Sequence, residues 1–161
     1  MFGFLRRFFS VSIDDVVDIP ATVVEGSLQH EQTQTDDLAS AASDHRYRAH
    51  FLQLLLERGL WGIVRLDRES NQDNEVHFLE YEDGPSRILP MFSSPEHATA
   101  FIHTTEFSEL LPLQCIHVPA QFLVINDLSG LRVIMNPRSG TSTEIGYGDL
   151  LSIRNYLHQQ L

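Results

Sequence analysis

Between residues 45 and 58 apolar side chains return at helical spacing. Tyr47, Phe51, Leu54 and Leu55 make one stripe, and Leu52 and Leu56 widen it. The pattern predicts a mostly buried helix that Asp44 caps and Gly59 ends with a left-handed residue. The rhythm then changes. Residues 60–66 alternate between two faces, a polar run over 69–74 interrupts, and residues 75–81 alternate again, as the two strands of a hairpin do. The turn at residues 82–85 leads into a third strand over 86–92. Pro90 inside it has no N–H to donate, which predicts an edge strand or a bulge.

Ser94-Pro95-Glu96 is a helix start: a serine cap, a proline in the first turn, and an acid at the positive end of the dipole. The helix is expected to run over 95–107 and to bury Ala98, Phe101 and Ile102. Residues 113–119 read as a strand closed by Pro119, which opens a second short helix over 119–127. A strand over 131–135 and a helix over 146–161 complete the pattern. Strands and helices mix without regular alternation, and no internal repeat is visible. The expected fold is α+β: a single small domain with a mixed, mostly antiparallel sheet and helices packed on it. Before it, residues 20–44 are rich in Gln, Thr, Ser, Ala and Asp and read as a flexible polar linker. Residues 1–19 read as a flexible N-terminal arm.

Charge narrows the functions. The chain has 161 residues and a formal charge of −11, from 22 acidic and 11 basic side chains. All the basic ones are arginine, so lysine chemistry is excluded. An acidic chain without a basic stripe repels phosphate, which argues against nucleic acid as a partner, and it steers a basic protein surface toward itself. The single cysteine, Cys115, rules out an intramolecular disulfide and favours a reducing, cytoplasmic setting.

The first ten residues, with Phe2, Phe4, Phe8 and Phe9 around Arg6 and Arg7, have the composition of a short interfacial anchor. Asp14, Asp15 and Asp18 oppose anionic lipid. The competing readings are a first helical turn packed on the body, or a frayed end.

Candidate chemistry is thin. The Asn136–Gly140 loop follows a strand as a phosphate cradle does, but its glycines fit neither phosphate-binding fingerprint, and a proline followed by a glycine is turn chemistry. Cys115 and His117 share a strand face, as a thiol and base would, with Asn126 or Asp127 to orient the base. A small buried thiol on an apolar strand is the simpler account. The eight histidines follow no metal-ligand spacing, so neither a metal nor a cofactor is expected. Glu80, Glu82 and Asp83 read as a solvated turn, and Trp61 and Tyr81 as a packing pair across the hairpin.

Three segments, in order, resemble the N-terminal domain of the SseB (enhanced serine sensitivity protein) family of bacteria. They are Ile-Leu-Pro-Met-Phe-Ser-Ser-Pro-Glu-His-Ala-Thr-Ala-Phe-Ile from Ile88, Ile-His-Val-Pro-Ala-Gln-Phe-Leu-Val-Ile from Ile116, and Gly-Leu-Arg-Val-Ile-Met-Asn-Pro-Arg-Ser-Gly from Gly130. The similarity covers about the last two-thirds of the chain. It departs at Ser93, where the family has threonine, and at Gly146-Tyr-Gly-Asp149, where it has a serine or threonine cap. The resemblance implies an α+β module that binds other proteins, and it brings no catalytic residues.

The expectation is therefore a non-enzymatic interaction module in residues 45–161. Its expected partner-binding residues are Pro90 and Phe92 on the edge strand, and Asn136, Pro137 and Arg138 in the loop. Phe2, Phe4, Arg6 and Arg7 in the arm complete the set. The alternatives are a peripheral membrane or assembly adaptor working through Met1–Ser10, and a secretion-chaperone or immunity-type partner protein.

Overall fold

Three strands at the centre of the molecule pair with one another in every combination, each time antiparallel. They are β2 (Leu60–Arg65), β3 (Glu75–Asp83) and β4 (Ser86–Phe92). Flat, straight strands cannot do this, since two strands antiparallel to a third run parallel to each other. The chain resolves the conflict by dividing edges. The β3–β4 hairpin pairs only near its turn, Tyr81 to Asp83 against Ile88 to Ser86. Beyond that it opens, and β2 enters the fork, giving Val64 and Arg65 to β3 and Trp61 and Gly62 to β4. Such a fork needs close approach at its crotch. A Cβ on Gly62 would lie 2.6 Å from the Phe78 ring, so only glycine fits beneath that buried phenylalanine.

The computed structural model describes residues 6–12, 38–41, 45–65, 75–104 and 112–160. The other elements are β1 (Arg6–Ser12), α1 (Arg48–Arg58), α2 (Pro95–Ile102), β5 (Leu113–Val118), α3 (Phe122–Ile125), β6 (Leu131–Met135), β7 (Thr143–Ile145) and α4 (Tyr147–Gln159). Among the described residues seven strands form one mixed sheet in the order β1-β3-β2-β4-β6-β7, with β5 on the free side of β2. Only β4 and β6 are parallel; every other pair is antiparallel. The α+β expectation holds.

The period of two in each strand sorts side chains onto two faces. One face carries Leu60, Val64, Phe78, Leu89, Met91, Val133 and Met135, and is covered by Phe51, Leu54 and Leu55 of α1, Phe122 of α3 and Ile153 of α4. The other carries Ile63, Leu79, Tyr81, Ile88 and Phe92, and is covered by Ala98 and Phe101 of α2.

Several expectations are corrected. Residues 6–12 are neither a helical turn nor a frayed end: they pair residue for residue with β3, from Arg6 opposite Tyr81 to Ser12 opposite Glu75. The domain also reaches back before residue 45. A helical turn at 38–41, inside the expected linker, buries Leu38 and Ala41 in the first core. Residues 1–5, 13–37, 42–44, 66–74 and 105–111 lie outside the described residues, among them Asp44, the expected cap of α1, and the expected loop over 69–74. Helix α2 itself ends at Ile102 with His103 as its C-terminal cap, short of the end expected at 107.

The strand bearing Pro90 is not at an edge. It lies between the fork and β6, with Pro90 opposite Ile134. The Asn136 N–H donates to the Met91 carbonyl, so the main-chain groups of Met91 face β6. Alternation turns those of Pro90 to the opposite edge, between Ile88, paired to β3, and Phe92, paired to β2. The missing donor falls where β4 changes partners, so no hydrogen bond is lost.

The fork also separates Trp61 from Tyr81. Extending the Val64–Phe78 register would set them opposite, but Trp61 faces Phe92 and His117 instead, and Tyr81 faces Ile88.

Candidate functional site: helix α4 and its two grooves

Most of the residues expected to meet a partner are interior. Pro90, Phe92, Asn136 and Pro137 are buried, Phe92 and Asn136 to 1% exposure each. Phe92 packs on Phe101, with ring centres 5.3 Å apart. Arg138 alone of the loop set is exposed, and its guanidinium lies over the rings of Tyr81, at 5.3 Å, and Phe101, at 5.9 Å. Phe2 and Phe4 fall outside the described residues, and Arg6 and Arg7 belong to β1.

The Asn136–Gly140 loop is a turn. Ser139 N–H donates to the Asn136 carbonyl at 3.2 Å, with Pro137 in the second position and Arg138 at φ 62° in the third, the form of a type II turn. Asn136, at φ 49°, turns its amide inward to Ser93 rather than outward to a ligand.

The Cys115–His117 arrangement has another use. His117 Nε2 donates to the Arg58 carbonyl and so caps the end of α1. The ring also stands edge-on to Trp61, with centroids 5.3 Å apart. Beside it Gly59, at φ 69° and ψ −162°, occupies backbone space open only to glycine, and a Cβ there would meet the Val118 carbonyl at 2.4 Å. Cys115 packs, half-buried, on the cluster around Ile63. Among the described residues no group of three or more His, Cys, Asp or Glu is placed to hold a metal ion. No helix among them is long and apolar enough to cross a membrane.

Exposed apolar surface gathers instead on α4. Its start lacks a side chain at the cap, Gly146, and Asp149 supplies the function by reaching back to accept the Gly146 N–H at 2.9 Å. Arg48 of α1 donates to both Asp149 carboxylate oxygens and, at 2.8 Å, to the Glu144 carbonyl. This clamp fixes α4 against α1. It also occupies an outward carbonyl of β7, blunting that sheet edge against strand addition.

Held this way, α4 buries only Ile153. Tyr147 is 81% exposed, Leu151 42% and Tyr156 46%. On one flank of the helix a concavity of about 620 Å³ is walled by the loop 126–130, by β6 and β7, and by Tyr147, Leu151 and Arg154. Its rim carries both signs of charge. Arg132 and Glu144 pair there at 2.8 Å, which holds the Glu144 carboxyl below its usual range. The Asp127 carboxyl is lowered by hydrogen bonds from Ser129. On the other flank a groove of about 470 Å³ runs between α1 and α4, lined by Leu52, Leu56, Ile153, Tyr156 and Leu157 with Glu57 and Gln121.

Sequence reasoning missed this region, although a signal was present. Leu52 and Leu56 widen the α1 stripe beyond what one buried face needs, and the apolar residues of α4 are spread around more than one face.

No protein-family model, no curated protein and no solved structure matches this chain.

Proposed function

We propose that this chain is a non-enzymatic protein-binding module of the SseB type, working in a reducing cytoplasm, with α4 and its flanking grooves as the surface that meets the partner. One observation carries this reading: a helix that buries a single residue and displays two tyrosines and a leucine beside two concavities. Tyrosine on a rigid element is the typical anchor of a binding hot spot, since it brings large apolar area and a hydroxyl at little entropic cost. The resemblance noted in the sequence supports the same class. His117 turns Nε2 to a helix end and its ring edge to Trp61, a structural use that supports leaving catalysis out. Pairing of residues 6–12 with β3 draws half of the expected membrane segment into the sheet, which weighs against the adaptor alternative.

The test is site-specific photocrosslinking in the native host. The chain has no lysine, so amine-reactive crosslinkers would find no side chain on this surface. Benzoylphenylalanine at Ser152 should capture a stoichiometric protein, and recovery should fall at least tenfold when Tyr147, Leu151 and Tyr156 are all changed to alanine with circular dichroism unchanged. Undiminished capture by the triple variant, or no captured protein, overturns the proposal.

A further inference from the structure

We propose that the groove between α1 and α4 receives a basic amphipathic helix of the partner protein, apolar side inward and cationic side over Glu57. This rests on the protein-binding reading and adds to it the groove used and the chemistry of the occupant.

The shape of the site comes first. Leu52 and Leu56 stand one turn apart on α1, facing Ile153 and Leu157, again one turn apart, on α4. Two helices presenting such rows leave between them the furrow into which a third helix sets side chains at i, i+3, i+4 and i+7. The volume, about 470 Å³, lies in the range of ligand sites that exclude most water from their occupant.

Charge then selects the occupant. Among the described residues Glu57 is the only acidic or basic side chain lining this groove. One of its oxygens accepts from Gln53 Nε2 at 2.9 Å, and no cation pairs with it among the described residues. The chain as a whole, at −11, attracts the same sign. The larger groove offers Arg132 and Arg154 with Asp127 and Glu144, which favours neither sign. A second copy docked about a two-fold axis would bring another Glu57 to a groove without a cation, so a homodimer is the poorer occupant.

The experiment uses the full chain, heteronuclear NMR and two synthetic helical peptides with the same leucine spacing, one with arginine on its polar face and one with glutamate. The arginine peptide should shift the amides of Leu52, Leu56, Ser152 and Tyr156 and bind at least fivefold tighter than its glutamate counterpart, the upper range for an exposed charge pair. Glu57→Arg should reverse that preference. Shifts confined to residues 126–133 overturn the groove assignment while leaving the protein-binding reading in place. Equal affinity for both peptides, or no shift from either at ~1 mM, the weak limit of specific recognition, overturns the inference. Protein binding itself is decided separately by the α4 triple variant.

Discussion

Asn136 and Ser93 hold each other by two hydrogen bonds of opposite sense across forty-three positions of sequence. Ser93 N–H donates to Asn136 Oδ1 at 3.0 Å, and Asn136 Nδ2 donates to Ser93 Oγ at 2.9 Å. Asn136 is 1% exposed, and its remaining polar groups are also engaged. Its N–H reaches the Met91 carbonyl, its carbonyl accepts from Ser139, and Nδ2 also reaches Thr141 Oγ1 at 3.3 Å. Asparagine combines tolerance of a positive φ with a short side chain that both accepts and donates. The clasp joins the end of β6 to the start of α2. Asn136→Ala should therefore cost about 3 kcal/mol, since it strands a buried N–H and strains the backbone. Urea unfolding measures this, and a loss under ~1 kcal/mol, the worth of an ordinary solvated hydrogen bond, would show that the clasp holds nothing.

Arg138 sets two effects against each other. Its φ of 62° favours glycine, while its guanidinium rests on Tyr81 and Phe101. Arg138→Ala keeps the backbone strain and loses the ring contacts, so stability should fall by about 0.5–1 kcal/mol. Arg138→Gly loses the same contacts but relieves about 1 kcal/mol of strain, and should match or exceed the parent. Thermal melts that rank alanine above glycine would contradict this account.

Glu80, expected in a solvated turn, is 2% exposed and is gripped by Arg87, whose Nη2 lies 2.9 Å from both carboxylate oxygens. Arg87→Met should cost about 3 kcal/mol by leaving a carboxylate buried without its partner. The double variant Glu80→Met/Arg87→Met should recover most of that loss, because two packed apolar chains replace two desolvated charges. A double variant no more stable than the single one would mean that the pair does more than neutralise itself.

Arg132 and Glu144 form the contrasting exposed pair, at 47% and 45% exposure. The hydrogen bond from Arg132 is the main cause that holds the Glu144 carboxyl below its usual range. Because the folded value is depressed, the stabilisation is present above the unfolded value of ~4.3 and is lost as pH falls through the folded one. So exposed a pair contributes little, since water and salt screen it. The stability difference between the parent and Arg132→Gln should be largest near pH 7, diminish as pH falls below ~4.3, and shrink in high salt. A difference that persists at pH 3 would assign it to packing by the arginine stem.

What the sequence determined by itself is local. Ser94 caps α2, its Oγ accepting the His97 N–H at 3.2 Å, because a cap is complete within four residues. Gly59 ends α1 and Pro137 opens its turn for the same reason, and the hydrophobic rhythms marked most strands and the α+β class. The tertiary structure decided every choice between distant partners. The aromatic run at residues 6–12 has a strand partner only because β3 offers an edge. Pro90 lies inside a sheet only because three strands divide their edges around it. Asn136 is a buried clasp because Ser93 comes to meet it, and Leu52 and Tyr156 line a groove because Arg48 fixes α4 where it stands. A repeat of two or 3.6 residues tells which side chains share a face. What that face meets depends on contacts tens of residues away, which no local pattern encodes.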